Sequence, residues 1–230
     1  MNLLLPIVYE DEHLIAINKP HGLLVHRSKI ARNADVYALQ LLRDQIGQMV
    51  FPVHRLDRKT SGVLLFTKDR KTNGLVQEIF REKGVEKIYF AVVRGFLDGV
   101  GEINYALTNE DRVQEAQTFY KSLQQFEIPL SDGRFPTSRY TLVELRPTTG
   151  RFHQLRKHMA HIFHPIIGDR PHGCNKQNRL WKEHFSMTSM LLHAQSLSFE
   201  HPRTKQRIEL TAQKSEEFER VLGILSSTPI

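Results

Sequence analysis

The sequence predicts an α+β fold built around a mixed, largely antiparallel sheet. Apolar, β-rich runs of strand length recur from one end of the chain to the other, and only a few stretches between them carry apolar residues at helical spacing. Composition supports a real core: of 230 residues, 40% are hydrophobic and 25% charged. Those figures are ordinary for a globular protein and exclude a disordered one.

Taken in order, strands are expected at 6–9 and 13–18, where Ile7-Val8 and Leu14-Ile15-Ala16-Ile17 lead to Lys19-Pro20. A helix is expected over 36–46, from Val36, Leu39, Leu42 and Ile46, with Asp35 as cap and Gly47 as stop. The run 62–67 has the length of a buried strand. A second helix spans 71–82, with Leu75, Val76, Ile79 and Phe80 on one side, and Lys87 to Arg94 reads as a strand closed by Gly95. Further strands are expected at 117–121, 138–146, 190–199 and 206–210, and further helices at 152–162 and 213–225. The polar stretch 109–117 and the Pro/Ser/Gly segment 129–137 read as insertions or long loops. One domain over 1–230 is the simpler organisation.

Cys174 is the single cysteine, so no intrachain disulfide can form, which suits a reducing compartment. The first ten residues lack a basic lead and contain a proline and an acid, unlike a signal peptide. No apolar run reaches the roughly 18 residues that a membrane-spanning helix needs. A soluble, cytoplasmic protein is expected.

The formal charge is +7, and it is not evenly spread. Between Arg134 and Arg179 lie nine bases and two acids, Glu144 and Asp169, while the remainder of the chain is balanced. Seven of the nine bases are arginine. A solvated face is one reading of such a run. A polyanion-binding surface is the other, and the planar guanidinium, suited to bidentate phosphate contacts and to stacking on bases, favours it.

The densest chemistry is in Val53-His54-Arg55-Leu56-Asp57-Arg58-Lys59-Thr60-Ser61-Gly62, directly before the apolar strand. Asp57 lies between two arginines, whose charge favours the carboxylate, so it is expected to stay ionised at neutral pH. An ionised carboxylate suits a nucleophile or electrostatic stabiliser better than a general acid. A salt-bridged turn, with Asp57 capping Thr60 or Ser61, accounts for the same residues. The series His158, His161, His164 invites a metal, but i and i+6 on a helix diverge and Cys174 has no partner thiol, so no metal is expected. Serine-hydrolase elbow, phosphate-loop and zinc-protease helix motifs do not occur.

The stretch His54 to Gly62 resembles the signature of the RluA-type pseudouridine synthases, HRLDRxTSG. Three further stretches agree in order and spacing: Asn18-Lys19-Pro20-His21-Gly22-Leu23-Leu24-Val25-His26, then Glu86 to Gly95 around Lys87-Ile88-Tyr89, then Gly150-Arg151-Phe152-His153-Gln154-Leu155-Arg156-Lys157-His158-Met159 followed by His164-Pro165-Ile166-Ile167-Gly168-Asp169. Together they span about residues 5–210. Within the family, Gly133 to Tyr140 and Asp44 to Gln48 look most like the members that modify uridine 65 of tRNA.

The resemblance implies the pseudouridine synthase catalytic fold; unlike many relatives that modify ribosomal RNA, this chain is expected to lack an S4-type RNA-binding domain ahead of the catalytic motifs. The resemblance also implies an isomerase that needs no cofactor, since no group is added and no electrons are transferred. Asp57 matches the catalytic aspartate; attack at C1′, attack at C6 and deprotonation at C2′ all remain open. Tyr89 matches a tyrosine that stacks on the target base, although a strand tyrosine is also an ordinary cross-strand aromatic. Arg156 matches an arginine that pairs with the catalytic carboxylate, or else contacts phosphate. Arg55 matches an arginine that helps extrude the nucleotide, a necessary step because the reacting atoms are inaccessible in a stacked base. Lys19, His26 and Arg151 are expected to support the site or face RNA, and Lys157 and Arg170 to contact it. The expected partner is tRNA, with ribosomal RNA or a non-catalytic RNA-binding role as alternatives, and the chain is expected to act as a monomer.

Overall fold

A computed structural model describes residues 4–26 and 36–227. In chain order the elements are β1 (Ile7–Glu10), β2 (Leu14–Lys19), α1 (Ala38–Ile46), β3 (Phe51–Pro52), β4 (Ser61–Thr67), α2 (Arg70–Arg81), β5 (Val85–Arg94), β6 (Val100–Asn104), β7 (Leu107–Asn109), β8 (Arg112–Gln114), β9 (Gln117–Ile128), β10 (Ser138–Pro147), α3 (Gln154–His161), α4 (Asn175–Phe185), β11 (Leu192–Glu200), β12 (Arg207–Thr211) and α5 (Glu216–Ser226). The chain forms two compact units, one of 1–87 with 194–215 and one of 88–193 with 216–230. Strand pairing is mostly antiparallel and helices flank the strands, which makes the class α+β.

In the first unit the strand order is β1-β2-β4-β11, with β3 beside β4 and β12 beside β11. All seven residues of β4 are buried, as a strand covered on both faces requires. One face closes on Leu14, Ala16, Val63, Leu65, Val76, Phe199 and Leu210. Gly62, the second residue of β4, has φ +110°, and a Cβ there would lie 2.1 Å from the carbonyl oxygen of Ala194. Only glycine permits that approach. Helix α2 is capped by Asp69, whose carboxylate accepts from the Thr72 N–H (2.8 Å) and hydroxyl (2.7 Å). Helix α1 ends at Gly47 in the left-handed region, as expected, and follows Tyr37, which makes no side-chain cap. Asp35, the expected cap, lies outside the described residues.

In the second unit the order is β5-β10-β9-β6. Helix α5 opens with Glu216, Glu217 and Glu219, which suit the positive end of its dipole. It buries Phe218, Val221 and Leu225 with Trp181, Tyr140 and Phe126. Three expectations change here. Residues 109–117 are not one long loop: β7 and β8 form a hairpin turning at Glu110 and Asp111, both at positive φ. The strand expected at 117–121 continues to Ile128, and α4 was not expected at all. Its sequence, NKQNRLWKEHF, buries little beyond Gln177 and Trp181, so its apolar stripe is too narrow to read as a helix. Segment 129–137 carries no helix or strand, as expected of a loop.

Candidate active site

In the first unit, β3 leads into a turn that carries His54 to Thr60 before β4 begins. Leu56 is buried and anchors this turn, while Arg55 and Arg58 are exposed and Asp57 is half-buried. The Thr60 N–H donates to the Asp57 carbonyl (3.1 Å). A second segment, 19–23, is joined to the turn by reciprocal bonds. The Gly22 N–H donates to the Arg58 carbonyl (2.8 Å) and Arg58 Nε to the Gly22 carbonyl (2.9 Å).

Lys19 lies beneath that junction with no solvent exposure. Its Nζ donates to the carbonyls of Pro20 (2.8 Å), Leu23 (2.8 Å) and Arg58 (3.3 Å). Burial pushes its pKa down to about 7, against the opposing pull of the Asp57 charge. This corrects the RNA-facing role expected for Lys19. A side chain without exposure cannot reach a phosphate, and what remains is support of the turn that carries Asp57. His26 is exposed, as contact with RNA would require. His54 is an internal group: its Nε2 accepts from the Leu65 N–H (3.2 Å), its ring stacks on Phe80, and burial pushes its pKa down to about 4. It is therefore neutral at pH 7.

In the second unit, Tyr89 lies on β5 opposite Leu145 of β10, half-buried against a cluster that includes Val93, Leu155 and Met159. Arg156, in the first turns of α3, is buried. Its Nε and Nη2 reach the two carboxylate oxygens of Asp169 at 2.8 and 2.7 Å, and Asp169 is itself 1% exposed. The sequence showed Asp169 as an acid opposing the bases and as the end of the family-like stretch from His164, not as the partner of Arg156. The signal that marks it is its place beside Gly168, whose φ of +83° and close packing on Ser189 admit no side chain. Gln154 fixes the loop before α3: its Oε1 accepts from Thr149 Oγ1 and the Arg151 N–H, and its Nε2 donates to the Gln117 carbonyl and Thr118 Oγ1.

The histidines of the 158–164 series are separately engaged. His158 is buried between Thr118 Oγ1 and the Tyr105 carbonyl, His161 stacks on Tyr105, and His164 meets the Arg94 carbonyl. Of the nine bases between 134 and 179, Arg139, Arg146, Arg156 and Lys176 face carboxylates. Arg151 and Arg170 are exposed and Lys157 is half-exposed. Arg151 Nε donates to the Glu115 carbonyl and Lys157 Nζ to the Thr108 carbonyl, so both lie along the β7–β8 hairpin.

An ionisable carboxylate on a rigid turn, a strand tyrosine and an arginine fixed by a buried acid belong to one chain whose excess of bases over acids lies between Arg134 and Arg179. Comparison with known proteins agrees with that chemistry. The family model described as RNA pseudouridylate synthase matches residues 13–161, which include Asp57, Tyr89 and Arg156. The chain belongs to this family. It is 47% identical over 222 residues to the tRNA pseudouridine synthase C of Vibrio vulnificus, covering 91% of each chain. It is also 47% identical over 232 residues to that of Haemophilus influenzae, covering 96% of this chain and 97% of the relative. Among solved structures, human RNA Pseudouridylate Synthase Domain Containing 1 shares the fold with a TM-score of 0.74 at 22% identity, over 98% of this chain and 96% of that one. Human RNA Pseudouridylate Synthase Domain Containing 4 has a TM-score of 0.71 at 25% identity, covering 96% and 93%.

Proposed function

We propose that this chain isomerises a uridine of tRNA, at position 65, to pseudouridine, with Asp57 as the catalytic carboxylate. In the reaction the N1–C1′ bond breaks, the uracil turns, and a C5–C1′ bond forms. The proton leaves C5 and N1 gains one, so the sum is an isomerisation with no oxidant, reductant or added group. Asp57 suits this because its turn is locked to the 19–23 segment by the reciprocal Gly22–Arg58 bonds and by Lys19 beneath. That locking is the observation that carries the proposal. A carboxylate acting on a single sugar must hold its position to within a fraction of an ångström.

Arg55, exposed beside Asp57, is suited to entering the duplex as the uridine leaves it. Tyr89 stacks on the extruded base. Arg156, oriented by Asp169, supplies positive charge to the reaction. His26, Arg151, Lys157 and Arg170 contact the RNA backbone, which fixes register and carries most of the affinity. Tests on tRNA are favoured by relatives at 45–48% identity that carry the name tRNA pseudouridine synthase C. Residues 1–230 act as one catalytic domain, as a monomer in the cytoplasm, and no described helix is long and apolar enough to cross a membrane.

The test is position-specific mapping of pseudouridine, by carbodiimide adducts and primer extension, after incubation with unmodified tRNA and with ribosomal RNA fragments. The proposal predicts one new stop, at uridine 65 of tRNA. A stop confined to ribosomal RNA overturns the substrate, and no stop in either overturns the activity.

A further inference from the structure

The second unit contains a cavity of about 310 Å³ in which, of the wall residues, only Arg170 has a role so far. Its wall includes Gly168, Arg170, Asn178, Arg179, Lys182 and Thr188. Its size falls at the lower end of the about 300–1,000 Å³ typical of ligand sites. Arg179 and Lys182 lie three residues apart on α4 and share a face of it, and Arg170 comes from the turn after Asp169. All three are exposed, and among the described residues none of them faces a carboxylate. Three uncompensated cations around a concavity focus a positive potential inside it. The Thr188 hydroxyl adds a neutral donor, so the lining suits a tetrahedral oxyanion.

The cavity also touches the site. Asn178, on α4, accepts from the Gly168 N–H through Oδ1 (2.8 Å) and donates to the Asp169 carbonyl through Nδ2 (2.6 Å). The turn that forms one wall thus presents the carboxylate gripping Arg156. A group held in the cavity rests against the support of a candidate site residue.

We infer that this cavity binds a backbone phosphodiester of the RNA substrate, a use that rests on the RNA-modifying reading above. The exposure of all three cations favours a strand laid across the opening over a small anion enclosed within it. Arg179 and Lys182 are then RNA contacts, joining Arg170.

The experiment measures binding of wild-type protein and the Arg179→Gln/Lys182→Gln double variant to unmodified tRNA between 50 and 300 mM KCl. The double variant is expected to lose about tenfold in affinity and about one unit of salt slope, the loss of one phosphate contact. Arg179→Lys/Lys182→Arg, which keeps both charges, should bind nearly as wild type, separating charge loss from misfolding. Lys205→Gln, on an exposed lysine of the first unit, should leave affinity and slope unchanged. Wild-type affinity and slope in the double variant would overturn the inference. So would inorganic phosphate that raises the wild-type Tm but not the variant's while the RNA slope is unaltered, since the cavity would then hold a small anion only. A wild-type chain that binds RNA with the expected slope but makes no pseudouridine contradicts the enzymatic reading alone. One that does not bind RNA contradicts both.

Discussion

The Lys19 ammonium is wholly enclosed, and the Asp57 carboxylate is the charge that opposes its loss of a proton. Three carbonyls take its hydrogen bonds, one of them Arg58 beside Asp57. A buried lysine with a pKa near 7 lies on the edge of neutrality at working pH.

This relationship predicts a pH limb. Raising pH through about 7 neutralises Lys19, removes its charge from Asp57, and lowers kcat/KM. In Lys19→Met that limb disappears, and the melting temperature falls because about three buried carbonyls lose their donor, a cost of roughly 1–3 kcal/mol. A Lys19→Met profile with the wild-type limb would assign the limb to another group. Stability moves the other way. The folded pKa is lowered, so the unfolded chain holds the proton between pH 7 and its ordinary value, and folding becomes more favourable as pH rises across that window.

His54 gives a second pH effect, on stability alone. Unfolded, the imidazole takes a proton near its usual 6.5; folded, near 4. Its contribution is complete above pH 6.5 and lost as pH falls toward 4, by up to roughly 2–3 kcal/mol. The lowered pKa of buried His158 adds a change of the same sign. Urea titrations from pH 4 to 7 should show the drop in wild type and a shallower one in His54→Gln.

Gly62→Ala drives a methyl into the Ala194 carbonyl oxygen, 2.1 Å away, at a φ that side chains rarely adopt. The two backbones must separate at the start of the most buried strand. A loss of more than about 2 kcal/mol is expected, read as a fall in Tm. An unchanged Tm would mean that the β4–β11 approach is looser than described.

Much of this was legible in the sequence. Apolar runs at Leu14–Ile17 and Val63–Phe66 marked the central strands, and Leu75, Val76, Ile79 and Phe80 marked α2, because burial leaves its period in the residues. The β7–β8 hairpin and α4 were not legible: short polar strands need no alternation, and a helix anchored by Trp181 and a few neighbours needs no long stripe. At the site, the position of Asp57 in its motif was evident beforehand. The burial of Lys19 was not, since a lysine reads as exposed until three carbonyls and an acid are found around it. The Asp169–Arg156 pair joins residues 13 apart through a turn whose path depends on Gly168.

That pair carries its own prediction. Asp169→Asn removes the buried charge that grips the Arg156 guanidinium through two hydrogen bonds, and stability should fall. Activity should fall further than stability accounts for, because Arg156 loses the group that aims it. Denaturant melts and turnover at 20 °C, where the variant is still folded, separate the two effects. Normal turnover would place Arg156 outside the reaction.

The most direct test of the central claim is release of tritium from RNA labelled at C5 of uridine. Wild-type protein should release label from tRNA, and Asp57→Asn should release none while binding the same RNA with affinity within about threefold of wild type. Label released by Asp57→Asn at the wild-type rate would contradict the assignment of this carboxylate.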